Sequence, residues 1–294
     1  MMKHNKFIIK YHRLVETPTW ADCRGRCLHR PLSSYRHYIL KYVYHNTQIL
    51  RGLFFLFIIL ATQSNTLLAQ KKTLNVKIIY ENRVKDQPII LYDSNYTNPF
   101  GENYTINKFR YYISNIHLEN NKGISTINKA SYLVDEANND SKKINLKVPV
   151  ENYKRLHFLL GVDSIKNVSG AQDGALDPAK DMFWTWNSGY VMAKLEGNSP
   201  ASPLVNNKYE FHIGGFEGKY NVLKEINLDL PQGTDLKTIN NLTIYITAEV
   251  NDWWNTVHKM KIAEHAAINS PGALALQMSD NYAKMFHIEK VIVN

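Results

Sequence analysis

From Thr73 to Val293 the chain repeats one pattern, short runs in which apolar and polar residues alternate with period two. In 108–118, Phe109, Tyr111 and Ile113 alternate with Arg110, Tyr112 and Ser114. In 242–250, Leu242, Ile244, Ile246 and Ala248 alternate with Thr243, Tyr245, Thr247 and Glu249. Successive side chains of an extended chain point to opposite faces, so such a run buries one face and wets the other. A helix would scatter the same residues around its circumference. The β-branched and aromatic content suits a pleated, half-buried surface. The same reading gives strands at 74–80, 88–92, 130–134, 144–150, 155–162, 190–195, 208–213, 223–230 and 286–293. Turn clusters such as NNKG, GNSP and PQG separate the runs. One helix is predicted late in the chain, with Ser270 as N-cap, Pro271 at its first position and Leu274, Met278, Tyr282 and Met285 along one face. The expected fold is therefore all-β, an antiparallel β-sandwich with one late short helix and a long loop at 163–187.

Charge divides the chain in two. Of 35 Lys and Arg residues, ten lie within 1–51, against two of the 26 acids, Glu16 and Asp22. Residues 52–70 carry no charge, and beyond them basic and acidic groups nearly balance. A net charge of +9 is thus no nucleic-acid footprint, which must sit on the folded domain. The uncharged stretch contains the apolar run 53–61, LFFLFIILA, after Arg51 and before small residues near Ala69. That is the order of a signal peptide, and the run is shorter than the ~20 residues of a membrane span. We expect 1–69 to be an over-extended N-terminus plus signal peptide, cleaved near Ala69, and 70–294 to be one exported domain without a membrane span. Cys23 and Cys27 both precede the apolar run, so the domain holds no thiol and no disulfide.

The domain lacks the usual enzyme signatures: no G-x-S-x-G, no H-E-x-x-H, no phosphate-cradling glycine loop and no Cys nucleophile. Asp163, Asp173, Asp177 and Asp181 lie in the long loop and are oxygen donors of the kind Ca²⁺ takes, without EF-hand spacing. Solvated loop acids are the ordinary alternative. Of six His, His157 and His287 flank Phe158 and Phe286 and read as structural. His212 ends a strand before two glycines, and His258 follows Trp253-Trp254 in an irregular segment; these two are the better candidates for a site. Trp184-x-Trp186 and Trp253-Trp254 suggest either core packing or an aromatic rim.

The segments FRYYISNIHL (109–118), YLVD (132–135), FLLGVD (158–163), GALDP (174–178), MFWTWNSGYVMAKLEG (182–197), FHIGG (211–215) and NYAKMF (281–286), taken in order, resemble the MbnP-like family of exported copper-binding proteins. The resemblance covers about residues 73–293. It implies a β-rich fold, one copper ion held by His side chains, and a Trp oxidised to kynurenine beside the metal by a diheme, peroxidase-like partner enzyme. The protein would then be a substrate of modification and no enzyme itself, serving copper uptake or delivery together with an outer-membrane metal importer. Carried onto this chain, Trp184 is the expected modified residue with Trp186 second, and His212 and His258 are the expected ligands. Met285, or else Met278, is added as a thioether, since a domain without Cys must offer copper His and Met. The chain departs from the pattern at Trp186, where a His would give an adjacent ligand. The competing reading is a periplasmic or secreted binding module without metal, contacting carbohydrate or protein through a Trp-rich rim.

Overall fold

The computed structural model describes residues 33–63, 72–93, 95–170, 172–185, 188–231 and 236–293. The chain separates into two compact units, 1–69 and 70–294. In the first, α1 runs from Ser33 to Gln63 and includes the apolar run. No helix among the described residues is long and apolar enough to cross a membrane. The expected cleavage point near Ala69 lies outside the described residues.

The second unit holds β1 (Thr73–Val84), β2 (Gln87–Pro88), β3 (Tyr96–Thr97), β4 (Asn103–Tyr104), β5 (Lys108–Asn120), β6 (Gly123–Asp135), β7 (Lys143–Pro149) and β8 (Tyr153–Leu160). A short helix α2 (Ser164–Asn167) follows, then β9 (Phe183–Thr185), β10 (Gly189–Asn198), β11 (Lys208–Gly214), β12 (Lys224–Asp229), β13 (Asn241–Glu249), β14 (Ala267–Ile268), α3 (Ala273–Tyr282) and β15 (Phe286–Val293). One sheet is ordered β15-β13-β1-β2 with β7 also on β1. The other is ordered β12-β8-β5-β10-β11-β14, with β6 on β5 and β9 on β10.

The two sheets face each other as the alternation requires. Tyr80 of β1 meets Tyr111 of β5 and Phe158 of β8 edge-on, at 6.2 and 6.0 Å between ring centroids. Phe286 of β15 closes the cluster, 5.5 Å from Tyr111 and 5.2 Å from Phe158. The all-β sandwich is as expected, with refinements. β1 lies parallel to β13, and β14 parallel to β11, within otherwise antiparallel sheets. The run at 88–92 is no strand beyond Pro88: Tyr92 has φ +71°, its amide donates to Ile106 O, and Ile90 N donates to the Tyr96 hydroxyl. α3 begins at Ala273 with Gly272 as N-cap, past the expected Ser270-Pro271 start.

The described parts of the long segment, 163–170 and 172–185, are hooked onto β5 and β10. The buried Asn167 amide donates to Val162 O and Asp163 O and accepts from Tyr190 N. Tyr112 and Tyr190 hydroxyls donate to Ala175 O and Leu176 O. These satisfied backbone groups hold the segment over the outer face of the second sheet.

Candidate functional site

On β11, Tyr209, Phe211 and Ile213 are buried and face the core, so Glu210, His212 and Gly214 share the outer face. Gly214 has no side chain because Trp184 occupies its place. A methyl group there would lie 2.5 Å from Cζ3 and 2.9 Å from Cη2 of the Trp184 ring. The indole, half-buried on β9, therefore packs over Gly214, two residues and about 6.6 Å of backbone along the strand from His212.

Around His212 the outer face is a plane of charges. Arg110, Lys194 and His212 stand at opposed positions on β5, β10 and β11, and Lys108, Glu196 and Glu210 form the next row. The Glu196 carboxylate accepts from His212 Nε2 at 2.7 Å and lies 3.4 Å from Lys108 Nζ. Burial pushes the Glu196 carboxyl up, but the His212 hydrogen bond and the charges of Lys108 and Lys194 outweigh it and hold it below the usual range. In the neutral ring this bond puts the proton on Nε2 and leaves the lone pair on Nδ1. Asp181, at left-handed φ +59°, accepts from Lys194 at 2.9 Å and Lys108 at 3.0 Å. Lys194 itself is nearly sealed, its side chain 3% exposed.

His258 belongs to a different arrangement. Its Nε2 bonds Asp280 at 3.1 Å, and Asp280 also holds Lys224. Asn281, fully buried on α3, accepts from the amides of Val257 and His258 and donates to Trp253 O and His258 O. One side chain of the NYAKMF segment thus sets the loop that carries His258. Met285 is buried, its Sδ accepting from Trp253 Nε1 at 3.3 Å. Trp253 packs on Phe109, on the core side of β5. Met285 and His212 therefore stand on opposite faces of the same sheet, and the expected sharing of one site by His212 and Met285 is corrected on that ground.

Trp184 is partly exposed and packs over Gly214; Trp186 lies outside the described residues. Trp253 and Trp254 are fully buried, Trp254 against Tyr104, Tyr209 and Phe211. Three of the four loop acids have separate tasks. Asp163 caps α2 through Lys166 N, Asp177 caps the turn at 178–180 through Ala179 N, and Asp181 pairs with lysines. Among the described residues no group of three or more His, Cys, Asp or Glu is gathered to hold a metal.

A family model described as MbnP matches residues 73–271. The chain belongs to the MbnP family. A solved structure similar to it is MbnP from Methylosinus trichosporium, 13% identical, covering 76% of this chain and 99% of that one at a TM-score of 0.47. No curated protein matches. The MbnP match opens at the first residue of β1 and takes in Trp184, His212 and His258, while Met285 falls beyond it.

Proposed function

We propose that this MbnP-family chain is an exported protein that binds copper on the outer face of the second sheet, at His212 beside Trp184. The observation that carries the reading is the cut-out at Gly214, which seats the Trp184 ring two residues from a His whose far nitrogen is tied to a carboxylate. Metal-ligating imidazoles characteristically donate their other N–H to such a group, which sets the tautomer and the ring orientation. Copper suits imidazole, so the donors fit in kind. His212 would bind through Nδ1; His258, backed by Asp280 in a separate arrangement, is not counted among its ligands. If a diheme partner oxidises Trp184 to kynurenine, the opened ring offers an aryl amine where the indole N–H only donates. The basic leader and apolar run support export to the periplasm or beyond, and delivery to an outer-membrane importer is part of the same proposal. The chain acts as carrier and modification substrate, without catalysis of its own. Calcium in the 163–181 loop receives little support, because three of its four acids, Asp163, Asp177 and Asp181, are spent on caps and lysines.

The aromatic-rim alternative is weaker, because two of its four Trp fill the core. Copper titration of the full chain against a competing chelator tests the proposal. Loss of an outer partner of a metal ligand typically costs ~10–100-fold in affinity, so Glu196→Gln should weaken binding by about that much and His212→Ala by more. Copper affinity unchanged in both variants would overturn the assignment. Peptide mass spectrometry of 182–194 from native protein reads the Trp modification directly.

A further inference from the structure

Asn82 of β1 is a polar residue in the core, 3% exposed, and its amide is bonded on both sides. Nδ2 donates to Glu136 Oε2 at 2.7 Å, and Oδ1 accepts from the Tyr111 hydroxyl at 2.8 Å. A carboxylate only accepts, so this orientation of the amide is fixed. The other oxygen of Glu136 accepts from Lys142 Nζ at 2.9 Å, and the two side chains are only 9% and 15% exposed. One carboxylate thus brings an amine and a carboxamide together. The strands allow the two to meet. Tyr80 N donates to Lys142 O, which extends the antiparallel β1–β7 ladder by one bond and puts Lys142 opposite Tyr80, diagonal to Asn82. Diagonal neighbours lie about 7–8 Å apart, within reach of a long side chain.

We infer that Lys142 and Asn82 join in an isopeptide bond, a covalent self-modification independent of the copper reading. Glu136 takes a proton from the Lys142 ammonium, and the freed amine attacks Asn82 Cγ. The Nζ–Cγ bond forms, and negative charge passes to Oδ1. The Tyr111 hydroxyl already donates there and stabilises that charge, as an oxyanion hole does. Burial raises Tyr111 well above the usual phenol range, so it stays a donor. Glu136 then relays a proton from the attacking nitrogen to Nδ2, the Cγ–Nδ2 bond breaks, and ammonia leaves, carrying off the proton first taken from the ammonium. A lysine ammonium and a carboxamide thereby become a secondary amide and an ammonium ion, with no oxidant or reductant. A cleft of about 440 Å³ lined by Asn82, Glu136, Asn139 and Lys142 gives the ammonia a way out. The event happens once per molecule, without turnover. It ties β1 to the turn ahead of β7 in a domain whose sequence has no cysteine to do so.

The test is peptide mass spectrometry of a tryptic digest of the folded full chain. The link blocks cleavage after Lys142, so 78–83 and 130–143 should appear as one branched peptide, lighter than their sum by one ammonia. Glu136→Gln keeps the size of the side chain and loses the proton relay. With folding checked by circular dichroism, that variant should give none of the branched peptide. Tyr111→Phe should form it at least tenfold more slowly, in samples taken at intervals after synthesis. A wild-type chain that, after prolonged incubation, yields 78–83 only as a free peptide overturns the inference. So does equal linkage in Glu136→Gln.

Discussion

Replacing Gly214 by Ala tests whether the sheet was cut away to seat Trp184. The added methyl would lie 2.5 and 2.9 Å from two ring atoms and 3.0 Å from Tyr190 O. Carbon atoms in contact settle at about 3.5–4.0 Å, so the ring must retreat by about an ångström or swing out. Overpacking of this kind costs about 1–3 kcal/mol. At about 2 kcal/mol, a domain of this size loses roughly 4–8 °C of melting temperature. The backbone gives no relief, since Gly214 does not lie at positive φ and Ala itself is tolerated there. In a Trp184→Ala background the ring atoms are gone and only Tyr190 O, at 3.0 Å, stays close to the methyl. There Gly214→Ala should be nearly neutral, or stabilise by about 0.5 kcal/mol through a less flexible unfolded chain. The double-mutant cycle, measured by urea denaturation, should therefore show coupling of about 2 kcal/mol. Costs that add within ~0.5 kcal/mol would refute the seat, because independent sites behave that way.

Asn281→Ala strands two amides and two carbonyls at once, and should destabilise by about 3–5 kcal/mol in urea while freeing the His258 loop. Gly189→Ala meets Asn167 Oδ1 at 2.4 Å and must also hold φ +73°, so limited proteolysis should cut within 163–187 faster than in wild type. Asp181 gives a signed pH dependence. Burial pushes its carboxyl up from 3.8, but hydrogen bonds and charge from Lys194 and Lys108 prevail and set it at about 2. The folded value lies below the unfolded one, so the contribution is complete above about pH 4 and is lost as pH falls toward 2. Its side chain is 63% exposed, and solvent screening limits the effect to about 1 kcal/mol. The stability gap between wild type and Lys194→Met should narrow across that window; a gap constant from pH 5 to pH 2 would contradict the linkage.

Most of the sandwich was legible because alternation is a local property of each strand. Partner choice is not local. The parallel contact of β1 with β13 joins Asn75 to Asn241, and nothing in either run encodes the other. Alternation also misleads where the chain is not extended. Trp253 and Trp254 would point to opposite sides of a strand, yet both are buried, because Val250–Trp253 is a 3-10 turn that Asn281 clamps. The same limit explains His157. Its place between Leu156 and Phe158 shows that it faces outward, but its stacking partner, His117, depends on the bulge at Asn115, forty-odd residues earlier in the chain.

The two glycines of FHIGG carried a signal that spacing alone could not decode. Gly215 is explained by its own backbone, at φ +125°. Gly214 lies outside that region, so its lack of a side chain needs a neighbour to explain it, and Trp184 is that neighbour. A glycine inside a strand marks a bulge, a bend or a close approach. Here the close approach brings an aromatic ring from the ordered loop onto the strand that carries His212. The functional reading thus depends on the hooks that hold 163–187, above all Asn167, as much as on the residues offered to the metal. Asn167→Ala should accordingly lower copper affinity without touching any ligand, and Asn167→Ala combined with His212→Ala should bind no more weakly than His212→Ala alone. An Asn167→Ala chain that keeps full affinity would mean that the Trp184 loop orders itself by some other means.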